Sequence, residues 1–82
     1  MQAEEIRALL RAAPFQPFRV FLSNGSFHDV PHPEFGLLVA RSFIIAEDPD
    51  HRGMPRRSVQ CDLLHITKVE RQPDRGLDDM KL

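Results

Sequence analysis

The alternation of apolar and polar positions is clearest in residues 18–30, where it predicts a β-hairpin. Phe18, Val20 and Leu22 occupy every second position, which is the spacing of a strand that buries one face. Asn24-Gly25 follows directly, and this dipeptide is a strong hairpin signal because both residues tolerate positive φ. We expect the remaining segments to close a small barrel onto this hairpin.

Two registers remain open for the second arm of the hairpin. With a two-residue turn, Val20 lies opposite Asp29, which places a carboxylate on the core face. With an additional residue and a left-handed Gly25 in a bulge, Val20 lies opposite Val30 and His28 lies at the mouth of the barrel. We favour the bulge because burying an unpaired carboxylate costs several kcal/mol.

A single apolar stripe in residues 2–13 predicts an amphipathic helix ahead of the hairpin. Ile6, Leu9 and Leu10 share one helical face, and Pro14 ends the helix. The stripe has two interpretations: it packs on the protein's own barrel, or it packs on another subunit.

The rest of the chain alternates short apolar segments with polar or proline-containing ones. Strands are expected at 36–40, 43–46, 58–63 and 66–70, a corner or one helical turn at 31–35, a surface loop at 47–57, and one helical turn capped by Asp62. The segments 36–40 and 43–46 are nearly all apolar, so we expect both of their faces to be covered.

These elements predict a mainly β fold with an N-terminal α-helix, closed into a small SH3-like or Sm-like barrel of about five strands. Residues 1–70 are expected to form this single domain, and residues 71–82 a flexible tail. The interior is expected to be lined by Phe18, Val20, Leu22, Val30, Leu37 or Leu38, Ile44 or Ile45, Val59, Cys61, Leu64 and Ile66, with Ile6, Leu9 and Leu10 over one end.

Composition narrows the class of protein. The chain has 82 residues, a formal net charge of −1 and a single cysteine, Cys61, so an internal disulfide is excluded. A lone cysteine fits a reducing cytoplasm, and the sequence shows neither a signal peptide nor a membrane span, so we expect a cytoplasmic protein. The balanced charge argues against strong non-specific binding of nucleic acid.

Few clusters of residues suggest chemistry. His28, Asp29 and His32 are the densest set of metal-ligand types, but a structural zinc site takes four ligands, so Cys61 or His65 would have to complete it. A cysteine–histidine nucleophile lacks a visible orienting partner. We therefore expect neither metal, cofactor nor catalytic residue, and a protein that is not an enzyme.

One basic cluster, Arg52, Arg56 and Arg57, lies within the expected loop at 47–57. Arginines on a loop can hold phosphate through two parallel hydrogen bonds. The acidic residues of the same loop offset these charges, so pairing within the loop is the favoured alternative.

Several short motifs are shared with a group of known proteins. The motifs PFQPF at 14–18, NG at 24–25, HPEF at 32–35 and LLHITKVE at 63–70 resemble those of a family of small bacterial proteins. The similarity covers residues 4–70, nearly the whole expected domain. It implies a bacterial protein, and the family brings no known activity with it.

The order of elements and two short segments also resemble Sm-like (Hfq-type) barrels. VFLSNG at 20–25 is similar to the opening of the first Sm motif, and LHI at 64–66 lies where the second motif would be. The Asp/Asn pair that grips a base in many Sm proteins is not evident, and the segment 47–57 is long for that fold. This resemblance implies contact with RNA or a partner through Phe35, Arg52, Arg56, Arg57 and His65.

The leading functional hypothesis is a non-enzymatic binding or scaffold module that self-associates into a homo-oligomer. It rests on the apolar character of 36–40 and 43–46, because exposed sheet surface needs pairing or covering. The alternative is an Sm-like RNA-binding protein.

Overall fold

One helix and six strands are present in residues 1–72, the part of the chain that the structure, a computed structural model, describes. In chain order they are α1 (Ala3–Arg11), β1 (Phe18–Leu22), β2 (Phe27–Val30), β3 (Gly36–Val39), β4 (Ser42–Pro49), β5 (Pro55–Asp62) and β6 (Ile66–Arg71). Single 3₁₀ turns at Pro33–Phe35 and Leu63–His65 precede β3 and β6. Of the predicted tail, residues 73–82 lie outside the described residues, and Arg71 belongs to β6.

The strands form two antiparallel sheets of three strands each, in the orders β2-β1-β6 and β3-β4-β5. The prediction of a mainly β fold with an N-terminal helix is confirmed. Within residues 1–72 the two sheets do not join into a closed barrel, since no ladder of hydrogen bonds connects a strand of one sheet with a strand of the other.

Both registers considered for the first hairpin are wrong. β1 and β2 pair Val20 with His28 and Arg19 with Asp29. Because cross-strand partners share a face, His28 lies on the side of the buried Val20, and Asp29 lies outside with Arg19. The Arg19 Nε donates to Asp29 Oδ1 at 2.7 Å. This third register therefore also keeps the carboxylate out of the core.

The turn of this hairpin explains the register. Leu22 N donates to Ser26 O at 2.9 Å, and Gly25 N donates to Leu22 O at 3.0 Å, so the loop comprises residues 23–25. Gly25 has a φ of 91°, the left-handed conformation predicted for the bulge. The Asn24 side chain accepts from the Ser26 N–H at 2.9 Å and from the Ser26 hydroxyl. Asn24 is thus the second residue of the loop, whereas a two-residue Asn24-Gly25 turn would make it the first.

Most of the surface loop predicted at 47–57 is strand instead. β4 and β5 extend to Pro49 and Pro55, which face each other across the ladder and leave only residues 50–54 as the turn. Both prolines lie at strand ends, where the missing N–H removes no essential ladder bond. The Asp50 carboxylate closes the turn by accepting from the N–H groups of Arg52 and Met54.

Helix α1 packs on the interior side of β3. Ile6 is fully buried, and Leu9 and Leu10 are half-buried against the core. Gly36 permits this close approach, because a Cβ there would lie 2.8 Å from the Phe43 ring and 3.0 Å from Leu10. Of the two interpretations of the apolar stripe, packing on the protein itself or on another subunit, the structure shows the first.

The core overlaps the predicted set closely. Its buried residues are Ile6, Phe18, Val20, Val30, Phe43, Ile45, Cys61, Leu63 and Ile66. Leu22, Leu38 and Val59 are half-buried against it. Of the paired alternatives, Leu38 and Ile45 are therefore the inward members.

Two residues depart from the predicted core. Leu64 is 78% exposed, so its assignment to the core is wrong, and Leu63 is buried in its place. The Asp62 carboxylate caps the 3₁₀ turn by accepting from Leu64 N at 2.9 Å, and this turn directs Leu63 inward and Leu64 outward. The prediction also omits Phe43, which is fully buried opposite Cys61.

Candidate functional site

An open cleft of about 360 Å³ lies where β2 of one sheet runs beside β4 of the other. Its apolar wall consists of Phe27, Pro31, Phe35, Ala46 and Pro49. Its polar side consists of His28, Asp29, Glu47, Asp48 and Arg57. The register of the first hairpin creates this site, because it directs His28 towards the gap between the sheets.

A half-buried hydrogen bond between a histidine and a carboxylate lies in this cleft. His28 Nδ1 lies 2.7 Å from Glu47 Oε2, and the two side chains are 19% and 16% exposed. Because an ionised carboxylate only accepts hydrogen bonds, Nδ1 carries the hydrogen in this contact. Arg57 Nε reaches the other oxygen of the same carboxylate at 3.4 Å. Glu47, which lies on β4, therefore links that strand to both β2 and β5.

The arginines of the expected loop pair with neighbouring carboxylates. Arg57 Nη1 lies 3.6 Å from Asp48 Oδ2, and Arg56 Nε lies 3.9 Å from the same oxygen. Pairing within this segment was the favoured alternative to phosphate binding. Arg52 lies exposed in the turn, and no ion pair of the described residues includes it.

The five residues predicted to contact RNA or a partner do not all line one cleft. Phe35 and Arg57 line the same cleft. His65 lines a second cleft of about 320 Å³, together with Leu22 and Cys61. Arg52 and Arg56 line neither of these clefts.

The second cleft contains the only cysteine of the chain. His65 Nδ1 lies 3.4 Å from the hydroxyl of Ser23, and the main chains of these residues are joined by a hydrogen bond of 2.8 Å. Cys61 is buried, and burial raises the pKa of its thiol, with the charge of Glu47 adding to the effect. The thiol is thus protonated at neutral pH, unlike an activated nucleophile.

The three residues considered as metal ligands are kept apart. His28 and Asp29 are adjacent in β2 and point to opposite faces, and Asp29 is held by Arg19. The His32 ring packs edge-on against Phe35, with 5.5 Å between centroids. Within residues 1–72, no group of three His, Cys, Asp or Glu side chains has the arrangement of a metal site.

The outward face of the β2-β1-β6 sheet carries an aromatic pair that the sequence pattern did not bring to notice. The rings of Phe21 and Phe27 lie 5.9 Å apart. The Arg19 guanidinium lies 4.1 Å from the centre of the Phe27 ring, and Lys68 Nζ lies 4.6 Å from that of Phe21. Accepting the Arg19 hydrogen bond, Asp29 raises the pKa of the guanidinium. The sequence contains a signal for this surface. Positions 19 and 21 of β1 alternate with the core residues of the same strand, so their side chains lie on the opposite face of the sheet.

The outward face of the β3-β4-β5 sheet is apolar and bare. Leu37 and Val39 are 59% and 46% exposed, and the register places Leu37 beside the half-buried Ile44. We call Leu37, Val39, Ile44 and Ala46 the outer apolar face. The burial expected on both sides of these strands is thus present on the inner side alone within residues 1–72.

Comparisons with known proteins identify no relative of this chain. No protein-family model, curated protein or solved structure matches this chain. Among the described residues, no helix has the length and apolar character needed to cross a membrane.

Proposed function

We propose that the protein is a non-enzymatic binding or scaffold module that self-associates, and that copies meet through the outer apolar face. The observation that carries the proposal is the exposure of Leu37 and Val39, 59% and 46%, side by side on one strand. Contiguous apolar surface on a small domain marks an interaction site, whereas apolar residues exposed singly need no explanation.

A second copy is the partner that fits this face best. The positions that flank the face on β4 and β5 are Ser42, Ser58, Gln60 and Asp62, and Asp62, the last residue of β5, is the charged one among them. The four residues of the face carry no charge, so they can meet their own copies around a twofold axis without bringing like charges together.

Sedimentation velocity tests this proposal. We expect wild type to sediment as a dimer or larger species, with the fraction of monomer rising on dilution. Leu37→Ser combined with Val39→Ser should give a monomer at the same concentration. The matched control is Met54→Ser, because Met54 is 65% exposed in the turn between β4 and β5, away from the face. A wild type that is strictly monomeric at high concentration would contradict the proposal.

The second candidate function is Sm-like binding of single-stranded RNA, on a fold of the SH3-like or Sm-like barrel type. One observation favours it: Phe35 and Arg57 line the same cleft. Aromatic rings and arginine together bind unpaired bases by stacking. Against it, Glu47 and Asp48 already pair with Arg57.

A filter-binding assay with short single-stranded RNAs separates the two candidates. RNA binding requires retention at low salt that weakens as salt rises, because phosphate neutralisation releases counterions. It also requires that Phe35→Ala and Arg57→Gln reduce retention. No retention at low salt would remove this candidate and leave self-association unaffected.

A further inference from the structure

We infer that two copies join edge to edge through β3, so that their β3-β4-β5 sheets form one continuous sheet across a twofold axis. This inference rests on the proposed self-association and names the contact that makes it. It follows from the composition of the strand edges and from the hydrogen-bond pattern of β3, which are independent of the exposure of Leu37 and Val39.

Among the described residues, the two sheets have four edge strands: β2, β6, β3 and β5. Natural proteins protect such edges with charges, prolines or bulges, because unpaired main-chain groups recruit other strands. β2 carries Asp29 and is followed by Pro31, β6 carries charges along its length, and β5 begins at Pro55 and continues with two arginines. β3, with the sequence GLLV, has neither a charge nor a proline. Of these four edge strands it is the one without a charge or a proline inside the strand.

The turn between β3 and β4 determines which main-chain groups of β3 are free. Val39 pairs with Ser42 across a two-residue turn, and the residues flanking such a turn exchange hydrogen bonds. Hydrogen-bonded and non-hydrogen-bonded pairs alternate along an antiparallel ladder. The N–H and C=O of Leu37 and Val39 therefore point towards β4, and those of Leu38 point away from the sheet.

Leu38 is the centre of the free edge. Its N–H and C=O take part in none of the turn, loop or side-chain hydrogen bonds of residues 1–72. The N–H of Gly36, the other outward residue of β3, already donates to Pro33 O. A second copy related by a twofold axis at Leu38 would exchange both hydrogen bonds with it, Leu38 N–H to Leu38 C=O in each direction.

This arrangement fixes the register across the interface. With Leu38 opposite its own copy, Leu37 of one subunit lies opposite Val39 of the other, on the outward side of the sheet. Leu37 and Val39 of one subunit then pack side by side against Val39 and Leu37 of the other, so the outer apolar face takes part in the contact through its β3 residues. Such a non-hydrogen-bonded pair has Cα atoms about 4.5 Å apart, which lies within the range of roughly 4.4–6.8 Å that a disulfide spans.

Disulfide trapping tests this register. Two single-cysteine proteins, Leu37→Cys and Val39→Cys, are prepared in a Cys61→Ala background, mixed in equal amounts, allowed to exchange subunits and oxidised. Edge pairing at Leu38 predicts that the 37–39 heterodisulfide exceeds the two homodisulfides together. Random collision gives as much heterodisulfide as the two homodisulfides combined. The products differ in mass and are quantified by intact mass spectrometry.

A second measurement covers the case in which the cysteine variants are unstable. Hydrogen exchange of wild type at high and low concentration should show the Leu38 amide protected by assembly, with the amides of the β5 edge unchanged. A monomer in sedimentation contradicts the proposed function. A dimer with random disulfide pairing and an unprotected Leu38 amide contradicts the edge pairing alone.

Discussion

At the scale of single residues, Phe43 has the largest packing role of those absent from the predicted core. It is fully buried and stacks on Phe18, with ring centroids 6.3 Å apart. Phe43→Ala should lower the free energy of unfolding by about 3–5 kcal/mol, because it leaves a cavity that the core cannot fill. A domain of this size has a total stability on the order of 5 kcal/mol, so the variant should be mostly unfolded at room temperature.

Leu64 supplies the matched control for this prediction. It is 78% exposed, so Leu64→Ala should change the free energy of unfolding by no more than about 0.5 kcal/mol in either direction. Urea unfolding followed by circular dichroism measures both variants. If Leu64→Ala lowered the free energy of unfolding as much as Phe43→Ala does, the 3₁₀ turn would not direct Leu63 inward and Leu64 outward.

The thiol of Cys61 gives a prediction about pH. Burial raises its pKa in the folded state above the value in the unfolded chain. The corresponding stability is present in full below the unfolded-state pKa and is lost as pH rises through the folded-state pKa. The stability of wild type relative to Cys61→Ala should therefore fall in the alkaline range and stay constant around neutrality.

Alkylation of the thiol provides the measurement for this effect. At neutral pH, iodoacetamide should modify native Cys61 much more slowly than the same residue in urea, and mass spectrometry follows the reaction. Equal rates in native and unfolded protein would contradict burial of the thiol. A pH-independent stability difference between wild type and Cys61→Ala would contradict the raised pKa.

These residues also show what a pattern of apolar positions can and cannot supply. Alternation identified Phe18, Val20 and Cys61 as buried, because a strand gives each side chain one of two faces. Continued along 58–63, it also places Leu63 on the buried side, but it could not assign Leu64, where a 3₁₀ turn breaks the period of two. The pairing of His28 with Glu47 could not be predicted from the pattern either, because 19 residues separate them and their contact depends on two sheets lying side by side.

At the scale of elements, the capped turn between β5 and β6 can be tested directly. The Asp62 carboxylate accepts from Leu64 N at 2.9 Å. Asp62→Ala should lower the free energy of unfolding by about 1 kcal/mol, as loss of a capping acceptor does. Asp62→Asn keeps an acceptor oxygen, so it should lower the free energy of unfolding much less. The midpoints of urea unfolding compare the two variants. If both variants were destabilised equally, Asp62 would stabilise the turn through its charge and not through capping.

The elements themselves were more predictable than their ends. The helix and the capped turn follow from local signals, a stripe of period 3.6 and an Asp before paired leucines. The hairpin register required knowledge of a three-residue turn, which Asn24-Gly25 does not specify. Residues 47–57 were assigned to a loop because their composition is polar. A polar segment can nevertheless be strand when its charges pair across the ladder, as Glu47 and Arg57 do.

At the scale of the whole molecule, the arrangement of the two sheets explains why one surface is left bare. The inner faces of both sheets and the helix bury the core between them. The outer face of the β2-β1-β6 sheet covers its phenylalanines with Arg19 and Lys68, whereas the outer apolar face has no such cover within residues 1–72. The difference between these two surfaces becomes visible once the register assigns each residue to a side.

Self-association should therefore contribute to the stability of the fold. A small domain that buries further apolar surface on assembly is stabilised by mass action, so its melting temperature rises with protein concentration. We expect this rise for wild type and for Met54→Ser. In contrast, Leu37→Ser combined with Val39→Ser should melt at one temperature regardless of concentration. Differential scanning calorimetry over a wide concentration range measures it.

The same experiment distinguishes apolar assembly from a charge-driven one. Added salt weakens association between opposite charges by screening, but it does not weaken the burial of leucine and valine side chains. The concentration dependence of the wild-type melting temperature should therefore persist at high salt. A melting temperature that is independent of concentration at every salt level, or a dependence that the double variant retains, would mean that the outer apolar face is not where copies of this protein meet.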